Sequence, residues 1–347
     1  MEDKYNVESI SKILFIRRDN IGDLICTTPA IHAVREKYPD AKIGMLVNTY
    51  NADAVRNNPD IDEIYVYEKA KHALDKNKLS VWWSNVKVLR KIRKEKYDIA
   101  IGCGSYSPRL ARYTYMTGAA VRIGYLPKNA DKSKSYNMPI SDPEKTLHEV
   151  ERTFYLLSPL GINGMPRETR IFPEGEMKQK AERFLMAEDI KGNIPIIAFH
   201  ISSRRPENRW PADKFTKLGN LISEKHPANI LLLWSPGSEK NPYHPGDDEK
   251  AERIINSMGS KPIAYRTTQL RELIAMLSIA DVVVCCDGGA MHIAAALGKP
   301  VVTIWGSTNP DRWRPWEARH IILQDESRKA ENVSIKAVLD AVEKLLA

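Results

Sequence analysis

The feature that most restricts what this chain can fold into is the stretch from Asp281 to Pro300. After Asp281, residues Val282 to Cys286 form an unbroken apolar run, which reads as a strand buried on both faces. Asp287-Gly288-Gly289 stops it. Ala290 to Leu297 then reads as a buried helix closed by Gly298, with Pro300 just beyond and Val301 to Trp305 as the next strand. A strand, a two-glycine turn and a helix start place bare backbone N–H groups at the carboxyl edge of a parallel sheet. The partial positive charge of the helix end favours a phosphate there. His292 falls in the first helical turn, within reach of the same anion. Taken alone, the stretch is equally a tight strand-to-helix turn with no ligand.

The same alternation runs along the whole chain. Lys12 to Arg17 is a short apolar strand. A helix follows it to about Lys37, with Thr28-Pro29 either its cap or a kink in a helix begun near Gly22. Strands over 42–47, 63–67, 98–103 and 122–125 alternate with helices over 52–57, 81–96, 108–116 and 143–160. The segment Ser158 to Gly175, rich in glycine and proline, is the linker candidate. The second half repeats the pattern, with strands over 194–200 and 229–234, helices over 178–186, 212–225 and 269–279, and an amphipathic helix over 334–346. This predicts an α/β protein of two Rossmann-like, doubly wound parallel-sheet domains facing each other across a cleft: residues 1–165, residues 166–330, and a C-terminal helix over 331–347. A chain of 347 residues can give both domains full cores.

Charge and cysteine content remove other classes. The four cysteines (Cys26, Cys103, Cys285, Cys286) contain no CxxC pair, which argues against a zinc site or a disulfide framework and suits a reducing cytosol. No apolar run approaches membrane-spanning length and no signal-type segment opens the chain, so a cytoplasmic location is expected. The net charge of +8 is concentrated: ten basic residues between Lys69 and Lys96 face only Asp75 and Glu95. On the helix over 81–96, Trp82, Val86, Leu89 and Ile92 or Val88 form an apolar stripe, with Lys87, Arg90, Lys91 and Lys94 largely opposite. That basic face is either solvated surface or a dock for an anionic inner membrane leaflet. Nucleic acid ranks last, because no stacking repeat or zinc knuckle accompanies the charge.

The second chemical landmark is Asn20-Ile21-Gly22-Asp23, just after the first strand. Gly22 allows a sharp turn, and Asp23 projects from a helix start, where a carboxylate can take a proton from a substrate hydroxyl or simply cap the helix. Neither a G-x-G-x-x-G fingerprint nor a phosphate-binding G-x-x-x-x-G-K-S/T loop is present, which disfavours a dinucleotide oxidoreductase or a P-loop NTPase.

At this point the chain resembles glycosyltransferase family 9, the ADP-heptose:lipopolysaccharide heptosyltransferases. The segments that carry the resemblance are residues 13–23, Thr27-Thr28-Pro29-Ala30, residues 38–43, His148-Glu149-Val150-Glu151-Arg152, Leu160-Gly161-Ile162, Arg209-Trp210-Pro211, residues 287–294 and Trp305-Gly306-Ser307-Thr308-Asn309-Pro310, all in family order. The resemblance implies a GT-B fold and inverting transfer of heptose from ADP-heptose to a lipid-linked, acidic lipopolysaccharide inner-core acceptor, with no required metal and no cofactor besides the donor. Asp23 matches the family's catalytic base, and Asp287, Gly288, Gly289, Met291 and His292 match its diphosphate-binding turn. Ser202, Ser203, Arg209 and Glu239 are further expected at the nucleotide-sugar, and Arg17, Arg18, Asn20 and Gly22 at the acceptor. Arg56, Arg109 and Arg112 are weaker acceptor candidates. Two positions depart from the family. Gly288 stands where Ser or Thr is usual, and Asn208 stands where a lysine commonly precedes the Trp-Pro, leaving Arg209, Arg205 or Arg204 as the phosphate cation. These departures leave open a same-fold transferase using another nucleotide-sugar or a protein acceptor.

Overall fold

A computed structural model describes residues 10–68, 77–127, 130, 133–143, 146–188, 194–241 and 245–347. Three lysines of the expected basic concentration, Lys69, Lys71 and Lys76, and part of the lysine-rich segment after Lys128 lie outside the described residues. The chain forms two compact units, residues 1–169 and 170–347.

The first unit is laid down as β1 (Lys12–Ile16), α1 (Ile21–Ile25), α2 (Thr28–Lys37), β2 (Lys42–Asn48), β3 (Glu63–Tyr67), α3 (Lys78–Glu95), β4 (Ile99–Gly102), α4 (Pro108–Met116), β5 (Val121–Tyr125), β6 (Met138–Ile140) and α5 (Glu149–Tyr155). Its six strands are all parallel, in the order β3-β2-β1-β4-β5-β6. Ile13 to Ile16 are wholly buried, because helices cover both faces of the sheet and leave β1 no solvent side. The chain reverses its winding direction between β1 and β4, so the carboxyl end of β1 opens at the switch point where doubly wound sheets bind ligands.

The second unit continues with α6 (Gly175–Ala187), β7 (Ile196–His200), α7 (Ala212–Lys225), β8 (Asn229–Trp234), α8 (Asp248–Ser257), β9 (Ile263–Arg266), α9 (Leu270–Ser278), β10 (Val282–Cys286), α10 (Gly289–Ala296), β11 (Val301–Trp305), α11 (Pro310–Trp313), β12 (His320–Gln324) and α12 (Ile335–Leu346). The parallel order β12-β11-β10-β7-β8-β9 puts its switch point between β7 and β10. The apolar run of β10 is entirely buried, and Ala290 to Ala296 of α10 are buried all round, as their small side chains permit. Trp210 and Phe215 anchor one face of this core, the Trp210 indole N–H donating to the Val333 carbonyl at 3.1 Å. Ser334 caps α12, its hydroxyl accepting the Ala337 N–H.

Several local expectations give way. The helix expected over 52–57 is a single 3-10 turn, Ala52–Ala54. The one expected over 143–160 shrinks to α5 and a 3-10 turn at Ser158–Leu160 holding Pro159, whose missing N–H cannot continue an α-helix. Strands β6, β9 and β12 and the short α11 were not expected; the three strands are short, largely half-buried edge strands without a clean apolar run. The stripe expected on α3 is also rotated. Val81 and Ile92 face inward and Val88 packs on the core, whereas Trp82 and Trp83 are 55% and 50% exposed. The polar Asn85 sets this orientation: its amide accepts the Glu68 N–H at 2.9 Å and donates to the Glu68 carbonyl at 2.8 Å.

Candidate active site

In the first unit the site begins at the carboxyl end of β1. The chain turns through Arg17 to Asn20 and starts α1, with Asn20 as N-cap and Asp23 at the third helical position. Asp23 closes a capping box: one oxygen accepts the Asn20 backbone N–H at 3.1 Å and its side-chain amide at 3.0 Å. The other oxygen accepts Arg17 Nη2 at 2.7 Å. So the helix-cap and proton-acceptor readings of Asp23 are compatible. The carboxylate is fixed by its cap and keeps a partly open face, with 14% of its side chain exposed.

Arg17 is buried and divided among carboxylates. Its Nη2 also donates to Glu149 Oε1 at 2.8 Å, its Nη1 to Thr153 Oγ1 at 3.4 Å, and its Nε lies 3.3 Å from Asp19. Burial disfavours the guanidinium charge, but Glu149, Asp23 and Asp19 more than restore it. For Asp23, burial alone pushes the carboxyl up. Arg17, by charge and hydrogen bond, and then Asn20 outweigh burial and hold it below its usual range. Arg17 therefore braces the aspartate from inside. Arg18 is likewise drawn in, stacked over the Tyr113 and Tyr67 rings at 3.9 and 4.6 Å from their centroids. Asn20 is exposed and Gly22 is buried beneath the turn.

The residue that sequence reading passed over is Glu149. It is buried at the first position of α5, a helix start organised by its own capping box between His148 and Glu151. Arg152 completes the cluster, holding Asp142 at 2.5 and 2.9 Å and approaching Glu149 at 3.8 Å. The segment His148 to Arg152 thus supports a carboxylate 126 positions away in sequence, through Arg17.

In the second unit, Asp287 follows β10 and Gly288 is the N-cap of α10, with no side chain capping that helix end. The first-turn N–H groups of Gly289, Ala290 and Met291 are the donors a helix start leaves without intrahelical partners. Gly288 has φ 159° and ψ −166°, with nothing within 4 Å of an added Cβ. Met291 is wholly buried, so only its backbone N–H is available to a ligand. His292 is buried in the same turn, edge-on to Trp313 at 6.2 Å.

Asn208 takes a structural place beside this turn. Its Nδ2 donates to Asp287 Oδ2 at 2.9 Å and lies 3.3 Å from Thr308 Oγ1. Burial pushes the Asp287 carboxyl up, only partly offset by Thr308, the charge of Arg205 and Asn208. Of the three arginines weighed as phosphate cations, Arg205 is the one whose charge reaches Asp287. Arg209 turns instead to Asp247 and the Gly246 carbonyl. Gly306, after β11, packs against the Glu207 carbonyl and Asn208 Oδ1 so closely that no Cβ fits. Gln324 donates to the carbonyls of Gly306 at 2.6 Å and Thr308 at 3.0 Å. The loops after β7, β10 and β11 are thereby tied into one network.

Beside β7, Ser202 accepts the Ser235 N–H at 2.9 Å, and Ser203 is buried. Buried Asp247, Lys250 and His200, none anticipated from sequence, form a polar cluster here. Lys250 donates to the Ile201 carbonyl at 2.9 Å, and burial followed by the Lys250 charge depresses His200 to about 4, leaving its ring neutral. The acidic start of α8, Asp247-Asp248-Glu249, was the available signal, since helix N-termini favour acids. Glu239 pairs with Arg253 at 3.0 Å.

Each unit is a doubly wound sheet with a loaded switch point: a braced carboxylate in one, an anion-ready helix start in the other. That combination suits an α/β group-transfer enzyme. More particularly, the chain belongs to glycosyltransferase family 9 (heptosyltransferase), whose family model matches residues 85–342. It is 27% identical over 303 residues to lipopolysaccharide heptosyltransferase 3 of Escherichia coli K12, covering 85% of this chain and 82% of that protein. It superposes on the crystal structure of a family 9 glycosyltransferase from Veillonella parvula with TM-score 0.82 at 22% identity, covering 97% of both chains. It superposes on E. coli heptosyltransferase WaaC with ADP with TM-score 0.78 at 19% identity, covering 96% of this chain and 99% of that one. The fold is GT-B-like, and the protein is a glycosyltransferase.

Proposed function

We propose that this enzyme transfers a heptose from ADP-heptose to a hydroxyl of an acidic, lipid-linked core glycan, with inversion and with Asp23 as general base. The observation that carries this reading is the Asp23 carboxylate, kept ionised by Arg17 and held in one orientation by its capping box. As the acceptor oxygen bonds to the anomeric carbon, Asp23 takes the hydroxyl proton. The bond from the anomeric carbon to the β-phosphate oxygen breaks, and its electron pair leaves with ADP. The first-turn N–H groups of α10, with His292 and Arg205 as neighbouring donors, suit the departing diphosphate. The relatives support the donor and acceptor: one solved structure is described as WaaC with ADP-2-deoxy-2-fluoro heptose, and the similar sequences are lipopolysaccharide heptosyltransferases. Such an acceptor places the work at the cytoplasmic face of a membrane. Gly288 and Asn208 favour one alternative, the same chemistry with a different nucleotide-sugar.

Calorimetric titration with ADP, GDP, UDP and CMP, paired with a transfer assay on Asp23→Asn, tests this. The expected outcome is a preference for ADP in both proteins and a loss of transfer of about 10²- to 10⁴-fold in the variant. Preference for another nucleotide moves the donor assignment. Unchanged transfer by Asp23→Asn removes the base.

A further inference from the structure

On α3, 3.6 residues per turn put Leu79, Trp82 and Trp83 on one face with Lys87, Arg90, Arg93 and Lys94. This face points to solvent: Leu79 is 66% exposed, the two indoles sit edge-to-face 4.9 Å apart with half their surface in water, and the four cations are exposed. The two chemistries are separated along the axis, apolar in the first turns and basic in the last. None of the four cations forms an ion pair with a described residue; the neighbouring Lys91, by contrast, is held by Glu63 at 2.6 Å.

The direction of the helix fixes where each half lies. Asn85 is bound to Glu68, just beyond the carboxyl end of β3, whereas Lys91 reaches Glu63 at that strand's amino end. α3 therefore runs antiparallel to the strands. Its residues before Asn85 overhang the carboxyl edge of the first sheet, the edge that also presents Asp23. Two exposed tryptophans on such an overhang, backed by cations that pair with no described residue, have the composition of a helix that lies in a bilayer interface. No helix among the described residues is long and apolar enough to cross a membrane.

We propose that this face of α3 docks the enzyme on an anionic bilayer. Trp82, Trp83 and Leu79 enter the interfacial layer, while Lys87, Arg90, Arg93 and Lys94 meet lipid phosphates. The inference rests on the proposed lipid-linked acceptor for its purpose: the anchor lies at the same sheet edge as the base, so the acceptor need not leave the membrane to reach Asp23. Charge complementarity selects the lipid surface over an apolar protein groove, since a groove does not need four exposed cations without an ion-pair partner among the described residues.

The test is co-sedimentation of the full chain with phosphatidylcholine vesicles containing about one-third phosphatidylglycerol, and with phosphatidylcholine alone. Wild type should bind the anionic vesicles at low salt and release from them as salt rises. Trp82→Ala/Trp83→Ala should lower partitioning about tenfold or more. Arg90→Glu/Lys94→Glu should remove the preference for anionic lipid, and both variants should keep wild-type ADP affinity. Failure of wild type to bind, or equal binding by the tryptophan variant, overturns the proposal. So does a dimer in sedimentation velocity that Trp82→Ala/Trp83→Ala dissociates, since that assigns the face to a second copy. Transfer to a lipid-free acceptor is read separately. Vesicle binding without transfer sinks the proposed donor and acceptor and leaves the anchor standing, and transfer without vesicle binding does the reverse.

Discussion

The two units carry an aspartate just past a buried strand beside the switch point of the same strand order, yet they treat it in opposite ways. Asp23 sits against Arg17 and is held below the ordinary carboxylate range, whereas Asp287 meets mainly neutral partners and burial pushes it up. What they share is the carboxyl edge of a sheet beside its switch point; the charge next to each sets its ionisation. A carboxylate that accepts a proton gains from a cation that keeps it ionised. Beside the proposed diphosphate site, a carboxylate does better tied up by Asn208 and Thr308, where its negative charge is costly.

The strongest way to break this contrast is Arg17→Met. It leaves Glu149 and Asp23 without their shared cation, and breaking such a buried pair costs about 3–5 kcal/mol. Chemical denaturation should show that loss, while Arg17→Lys should recover part of it. If Arg17→Met unfolds at wild-type denaturant concentrations, the brace is not what orders the site. The counterpart in the second unit is steric. Gly306→Ala forces a Cβ onto the Glu207 carbonyl, so stability should fall by about 1–3 kcal/mol, with weaker ADP binding by calorimetry.

The smallest effect is the most discriminating, because the two aspartates should respond to pH with opposite signs. Asp23, with its depressed folded value, contributes stability that is present above the ordinary carboxylate value and lost as pH falls through the folded one. Asp287, with a raised value, contributes stability only in acid and costs stability as pH rises through its folded value. In melting curves across acid to neutral pH, Asp23→Asn should therefore be less stable than wild type near neutrality, and Asp287→Asn more stable. Both differences should shrink in acid. Shifts of the same sign would erase the contrast between the units.

Much of the architecture was legible in the sequence, for physical reasons. Val282 to Cys286 has no polar side to hide, so its burial could be read directly, and the glycines after Asp287 could only be a turn. Asp23 could be placed because its partners Asn20 and Gly22 are local. What could not be read depends on distant pairing. Nothing near Arg17 announces that Glu149 will claim its guanidinium, so this ion pair could not be expected. The stripe of α3 misled for a related reason. Asn85 is polar and adds nothing to an apolar stripe, but the Glu68 backbone satisfies its amide, so it can face inward and the tryptophans are turned out. The edge strands β9 and β12 were missed because half-buried strands carry too weak an apolar signal.

The burial of α10 has one more consequence, best expressed as hydrogen exchange. With Ala290 to Ala296 all enclosed, the hydrogen-bonded amides of that helix beyond its first turn should exchange only when the surrounding core opens, among the slowest in the chain. The donors that greet an anion are thus already ordered in the free protein. Little entropy remains to be lost when an anion arrives, so binding there should slow exchange in the first turn and leave the protection of the rest of α10 nearly unchanged.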